Sequence, residues 1–325
     1  MTVPKTVGVG SPVVDLLTRV PHHFLESVPG EKGGRLLVDR PTMDALLSRL
    51  TTPCTRALGG AAGNTVFTLT ALGAPTAMLG KLGNDDEGRY YAGSFERLGG
   101  DARSLKATGE APTARCLSLI TPDSQRTMRT CLGAADLFSR NDVTCDDFAG
   151  NQMVYLEGYL LWDSAIGEHI LAMADRLGLT VALDLGTFEV VRNLGARLND
   201  LLKRHVDIVF ANEDEAAAFC GWPDPVAGLE ALAACCPTAV VKLGARGALV
   251  QEGAQRCHIP ALPVTEVVDT TGAGDVWAAG FLYGRLHHLP MERCGLMGAS
   301  LAAEAVAHLG ATPPLETIAD IKRQW

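Results

Sequence analysis

The sequence predicts an α/β fold in which a central, mostly parallel β-sheet carries helices on both faces and a small β-sheet lid. Three observations predict it. Short β-rich runs alternate with longer helical patterns through most of the 325 residues, as in a parallel sheet built from crossover units. Four runs of the second half, MVYLEG, TVALDL, DIVFAN and TAVVKLG, are apolar in the manner of buried strands. Two stretches, at about 13–39 and 108–131, lack a good helix and read as strands with turns. They would pair into a small antiparallel sheet covering the ligand crevice.

Taken in order, TVGVG opens the chain as a strand, and PTMDALLSRL follows as a helix with proline near its start. GNTVFTLTALG reads as a helix ending at Gly73, and TAMLGKLG as the next strand. A helix around Glu87 to Leu98 and the strand CLSLI follow. Among the four buried strands lies EVVRNLGARLNDLLKRH, with apolar residues at Val190, Val191, Leu194, Leu198, Leu201 and Leu202 in helical spacing. Proline-, glycine- or serine-rich linkers, internal repeats and low-complexity segments are absent from the sequence. The expectation is one domain over residues 1–325, with the two lid segments inserted in it.

Composition narrows the function. The chain is 47% hydrophobic and 20% charged, as in a soluble globular protein with a large core. The net charge is −9 and the basic residues are scattered, which argues against nucleic acid or an anionic membrane as partner. Nine cysteines at irregular spacing, with no C-x-x-C pair, read as reduced thiols packed as small apolar residues. The eight histidines have no partner at metal-ligand spacing. No signal peptide and no apolar run near the ~18 residues of a membrane span is found, so a cytoplasmic protein is expected.

Several glycine clusters compete for a phosphate site. VGVGSPVV has Val13 where a dinucleotide fold needs its third glycine, and no helix follows. That argues against a nicotinamide-dependent dehydrogenase. GAPTAMLGKL has Gly73 and Gly80 too far apart for a P-loop, and Leu82 stands where serine or threonine is required. Lys81 then reads as an ordinary loop lysine. VVDTTGAGDVWAAG differs because its parts explain each other. Gly272, Ala273 and Gly274 offer consecutive N–H groups at a helix start, which suits an anion. Asp275 beside them would take the proton of an attacking hydroxyl, in a reaction governed by positioning and charge. The alternative is a glycine turn with Asp275 as a capping residue.

These residues carry a resemblance. DTTGAGDVWAAG resembles the C-terminal signature of the ribokinase family, also called the PfkB carbohydrate kinases. GGAAGNTVFTLTALGAPTAMLGKLGNDDEG, Gly59 to Gly88, resembles its N-terminal signature. The resemblance spans nearly the whole chain. It implies the ribokinase-like three-layer sandwich and an ATP-dependent kinase acting on a hydroxymethyl group of a sugar or nucleoside. Asp275 then matches the catalytic base, and Gly272, Ala273 and Gly274 the anion hole. Asn212 and Glu215 of ANEDEA match the N-x-x-E pattern that organises Mg2+ and phosphates; read alone, they form a capping box. Lys242, Gly244 and Gly247 of KLGARG match the nucleotide loop, where many members have threonine instead of Lys242. Asp269 and Thr271 match positions that bind a monovalent cation, K+ being the candidate, in several members.

On the substrate side, Asp15, Gly59, Gly60 and Asn64 match the sugar-binding positions. Arg126 matches an arginine that reaches the site on closure, while Arg129 reads as a solvated lid residue. PTARCLSLITPDSQRTMRTCLGAA and YLEGYLLWD look most like bacterial adenosine-kinase-like members. Tyr159 and Trp162 would then stack on a base, or else be core aromatics. EKGGRLLVD departs from that pattern at Gly33 and Gly34, where a bulkier apolar pair is usual. An adenosine-like nucleoside is the first expectation, with a free sugar such as ribose, fructose or ketodeoxygluconate as the alternative. A non-catalytic sensor on the same fold is disfavoured by the intact Asp275, Gly272 and Gly274. The expected partner is a small molecule, and the resemblance leaves monomer and homodimer both open.

Overall fold

The computed structural model describes residues 3–123, 125–162 and 164–325. Ser124 of the SQRTMRT run and Asp163 of YLEGYLLWD lie outside the described residues. Among the described residues, fourteen strands form two sheets. The strands are β1 (Thr6–Val9), β2 (Val13–Arg19), β3 (Arg35–Leu37), β4 (Thr55–Gly59), β5 (Thr76–Gly83), β6 (Leu105–Thr108) and β7 (Ala114–Ile120). After them come β8 (Arg126–Cys131), β9 (Met153–Glu157), β10 (Thr180–Asp184), β11 (Ile208–Asn212), β12 (Thr238–Lys242), β13 (Ala248–Glu252) and β14 (Gln255–Ile259). The helices are α1 (Arg40–Ser48), α2 (Ala61–Ala71), α3 (Asp86–Leu98), α4 (Ser164–Leu177), α5 (Phe188–Leu194) and α6 (Ala196–His205). The remainder are α7 (Glu213–Cys220), α8 (Pro225–Ala233), α9 (Ala273–Leu286), α10 (Met291–Val306) and α11 (Leu315–Arg323).

The large sheet runs β14-β13-β12-β11-β10-β9-β1-β5-β6. Its pairs from β6 to β12 are parallel, and the hairpin strands β13 and β14 are antiparallel. Its strands look continuously apolar because both faces are covered. Tyr155, Phe210 and Val240 point into one core, shared with Phe67 of α2, Phe95 of α3, Phe281 of α9, Met297 of α10 and Ile318 of α11. Their neighbours Val154, Val209 and Val241 point into the other, with Ile170 of α4, Val190 of α5, Leu198 of α6 and Leu229 of α8. Successive residues therefore serve opposite layers, as the two-residue strand period requires. β1 lies between β5 and β9, so the chain order reverses there and a crevice opens at the carboxyl ends of the strands.

The second sheet runs β3-β8-β7-β2-β4. It departs from the antiparallel expectation, since β2–β7 and β3–β8 are parallel while β7–β8 and β2–β4 are antiparallel. The sequence reading also missed β4, whose short TRALG run leads straight into the glycines before α2.

Three further expectations are corrected. The stretch EVVRNLGARLNDLLKRH is two helices, because Gly195 at φ 52° ends the first and opens the second. Lys81 is a strand residue in β5 whose Nζ holds Asp142 at 2.9 Å. Arg129 is no solvated residue: it is 1% exposed, and its guanidinium donates to the carbonyls of Pro29, Glu31, Gly34 and Met128. Lysine or arginine in a polar stretch reads as surface, but planar guanidinium can satisfy several converging carbonyls of a folded loop. All nine cysteines are free thiols. Among the described residues, no helix is long and apolar enough to cross a membrane.

Candidate active site

The glycine-rich segment builds the start of α9. Gly272 is its N-cap at φ 73°, and a Cβ there would lie 2.4 Å from the carbonyl oxygen of Ala311, so only glycine fits. The expected Ala273 donor is engaged, its amide donating to the Thr270 carbonyl at 3.3 Å, whereas the amides of Gly274 and Asp275 in the first turn have no backbone acceptor among the described residues. Such orphan donors, at the positive end of a helix dipole, suit an anion. Asp275 is the third residue of the helix, and its side chain faces α2 rather than capping α9. Asn64 Nδ2 donates to Asp275 Oδ2 at 2.8 Å, and Thr65 Oγ1 donates to its main-chain oxygen at 3.1 Å. Burial, reinforced by the nearby Asp184 carboxylate, pushes the Asp275 carboxyl up to about 7, against the opposing pull of Asn64 and Lys242. The amide oxygen of Asn64, Oδ1, is buried with no hydrogen-bond partner among the described residues, an unused acceptor beside Asp275.

Asp15 sits on the lid strand β2, buried, with Gly59 of the adjacent β4 against it; a Cβ at Gly59 would lie 2.8 Å from the carboxyl. Gly60 then turns the chain into α2, which presents Asn64. Burial raises Asp15 to about 6, even though Arg126 opposes it. Arg126 comes from the other lid segment on β8. Its Nη1 donates to Asp269, and its Nη2 lies 3.7 Å from Asp15. Nε and Nη2 of this buried guanidinium have no hydrogen-bond acceptor among the described residues. Asp269 also accepts from the amides of Thr271 and Gly310 at 3.0 Å each. The lid is thus tied to the loop that precedes the anion site.

At the carboxyl ends of β10, β11 and β12 stand Asp184, Asn212 and Lys242. Asn212 and Glu215 form a complete capping box for α7: Asn212 Oδ1 accepts from the Glu215 amide at 2.9 Å, and Glu215 accepts from the Asn212 amide at 2.8 Å. The same Glu215 is buried and pushed up to about 7 by desolvation and by Asp184. Lys242 Nζ donates to Asp184 Oδ2 at 2.7 Å. Gly244 and Gly247, at φ 57° and 88°, close the turn from β12 to β13.

Two charged residues at this end of the sheet escaped the sequence reading. Asp184 ends the strand TVALD, and Glu157 ends MVYLE. The signal was present, since an acidic residue at the end of an otherwise apolar strand points to the crevice. Glu157 accepts from the amides of Ser11 at 2.7 Å and Ala62 at 3.2 Å, pinning the turn after β1 to the start of α2. Burial lifts it to about 7. Tyr159 and Trp162, just past β9, are 43% and 55% exposed, which rules out the core reading for both. Trp277 does pack inside, stacked on Phe281 at 5.5 Å.

Comparison with known proteins agrees with this geometry. The family described as pfkB family carbohydrate kinase matches residues 50–318. A probable sugar kinase from Rhizobium etli superposes with TM-score 0.88 at 33% identity, covering 100% of this chain and 99% of that one. The adenosine kinase of Sinorhizobium meliloti gives TM-score 0.87 at 33% identity, covering 99% of each chain. Among curated relatives, the adenosine kinase of Saccharomyces cerevisiae is 27% identical over 98% of this chain and 99% of its own length. The aminoimidazole riboside kinase of Salmonella typhimurium is 28% identical over 78% of this chain and 79% of its own. With the signature segments folded into one crevice and the family match spanning most of its length, the chain belongs to the PfkB carbohydrate kinases, as a sugar or nucleoside phosphotransferase acting on a hydroxyl group.

Proposed function

We propose that the enzyme transfers the γ-phosphoryl group of ATP to the hydroxymethyl group of an adenosine-like nucleoside. The observation that carries the chemistry is the pair Asn64–Asp275 at the mouth of α9. The base, pushed up to about 7, is matched to neutral pH, and the free amides of Gly274 and Asp275 lie next to it. Asp15, Gly59, Gly60 and the unpaired Asn64 oxygen would bind the ribose hydroxyls. Arg126, with two free donors, would reach the transferring group. Asn212, Glu215, Lys242, Gly244 and Gly247 would line the nucleotide side.

Kinases of this family use ATP with Mg2+ in general. Among the described residues, no three acidic, histidine or cysteine side chains are placed so that together they could hold a metal ion. Magnesium held through phosphate oxygens and water needs no such cage. Glu215, and Asn212 through it, would act on that hydrated ion, whose bound charge offsets that of the phosphates. A monovalent cation at Asp269 and Thr271 would have to share a carboxylate that already carries Arg126.

The nucleoside reading draws support from the full-length likeness to the Sinorhizobium meliloti adenosine kinase and from the exposed Tyr159 and Trp162 at the carboxyl end of β9. Flat rings left open at a crevice suit a purine. A free sugar is the second reading, favoured by the lid glycines Gly33 and Gly34, which present no side chain to a base, and by the equally similar probable sugar kinase. ADP release from ATP and magnesium with adenosine, inosine, guanosine, ribose, fructose and ketodeoxygluconate separates them. Turnover on a nucleoside supports the first reading. Turnover on a free sugar alone discards it and keeps the mechanism.

A further inference from the structure

The carboxyl ends of β10–β12 hold a charge arrangement that the signatures do not explain. Asp184 and Lys242 have side chains only 7% and 13% exposed, and their ion pair lies beside Glu215 and Asp275. One carboxylate thus bonds the ammonium, and the charges of two more act on it. Desolvation alone would lower the proton affinity of Lys242, yet Asp184 and Glu215 raise it above the ordinary lysine value, so the group is held as a cation. Its direction is fixed by α9: a Cβ built on Gly274 would sit 3.1 Å from Nζ and 3.6 Å from Cε. The lysine therefore lies along the very residue whose amide faces the anion site. Its Nζ lies over the ring of Phe210, 6.0 Å from the centroid.

We infer that Lys242 is a catalytic residue of phosphoryl transfer, its ammonium touching the γ-phosphoryl oxygens in the transition state, and that Asp184 is its positioning residue. This rests on the reading of the site as that of an ATP-dependent kinase. The acceptor oxygen forms a bond to the γ-phosphorus, and the bridging P–O bond breaks with its electron pair going to the β-phosphate of ADP. The hydroxyl proton goes to Asp275, and Lys242 keeps its own. An anion entering a pocket ringed by Asp184, Glu215 and Asp275 meets repulsion. Lys242 reverses that sign at the point of transfer, and the hydrogen bond to Asp184 Oδ2 at 2.7 Å holds the ammonium in place before the reaction. A point charge beside a phosphate is a common use of lysine.

The test compares the wild-type enzyme with Lys242→Met, Lys242→Arg and the double variant Lys242→Met/Asp184→Met, on the best acceptor of the panel. Lys242→Met should lower kcat about 10²–10³-fold, the range for loss of one transition-state donor, with the KM for the acceptor nearly unchanged. Binding of ADP with aluminium fluoride and acceptor, a mimic of the transferring phosphoryl group, should weaken by a comparable factor, while ADP alone binds as before. Lys242→Arg should recover part of kcat. The double variant removes both charges and restores an apolar pair, so it guards against misfolding of the single one. A merely structural ion pair predicts that the double variant regains kcat; the proposal predicts that it does not. Retention of kcat within threefold in a folded Lys242→Met, or full recovery in the double variant, overturns the assignment. Wild-type enzyme that releases no ADP with any acceptor overturns the kinase reading itself, and the proposal with it.

Discussion

Replacing Asn64 by leucine should move the acid limb of kcat/KM to higher pH. The amide donates to Asp275 Oδ2 at 2.8 Å and so favours the ionised carboxylate. A hydrogen bond to a charged group contributes about 1.5–3 kcal/mol, and about 1.4 kcal/mol corresponds to one pKa unit. Asp275, held at about 7 in the wild type, should therefore rise by about one to two units in the variant. The base works only when ionised, so activity is lost as pH falls through its pKa. The limb should start lower on the scale in the wild type than in Asn64→Leu. ADP release measured from about pH 5.5 to 9.5 gives the profile of the free enzyme. Loss of the substrate contact through Asn64 lowers the whole curve but does not shift its limb. Asp15, Glu157 and Glu215 are also raised toward neutrality, yet among the described residues Asn64 hydrogen-bonds to none of them and should not move them. A limb in the same place in both proteins would refute Asp275 as the titrating base.

Other predictions follow from the same burial. Asp15, Glu157, Glu215 and Asp275 all have folded values above their ordinary carboxylate values. The folded state then binds more protons than the unfolded chain between about pH 4 and 7, and stability falls as pH rises through that window. Asp101 and Asp123, held far below the usual range by Arg103 and Lys32, act at more acidic pH and do not offset this. The melting temperature should be higher at pH 5.5 than at pH 8; the opposite order would mean that these carboxyls are not buried as described. Arg129→Met should cost about 3 kcal/mol, because four carbonyls lose a charged donor and some of them regain water. For a chain of this length that is a drop of about 4 °C in Tm. An unchanged Tm would show that the buried guanidinium does not hold the loop over Pro29 to Gly34.

Much of this architecture was legible because its rules are local. The runs MVYLEG, TVALDL, DIVFAN and TAVVKLG became β9 to β12, since double burial leaves no alternation to hide them. DTTGAGD was readable because Gly272 has a conformation and a close approach that only glycine tolerates. The lid topology was not legible: β2 pairs in parallel with β7, a hundred residues away, and no short-range signal fixes which strands meet. Gly195 looked like one more residue in a helical period, and only its backbone conformation shows the break. The partners of a charge were equally hidden. Lys242 gave no hint of Asp184, because the two meet across the ends of β10 and β12, on either side of β11, rather than along the chain. Arg129 looked solvated until the loop carbonyls folded around it.

The central claim is that Asp275 takes the proton of the acceptor hydroxyl beside the anion site at the start of α9. Asp275→Asn keeps the shape and a hydrogen-bonding partner for Asn64 while removing the base. Steady-state ADP release with the best acceptor, alongside ATP binding by calorimetry, tests it most directly. Turnover should fall about 10²- to 10⁴-fold, the range for losing a general base, with ATP affinity kept. Near-normal turnover in the folded variant would contradict the account.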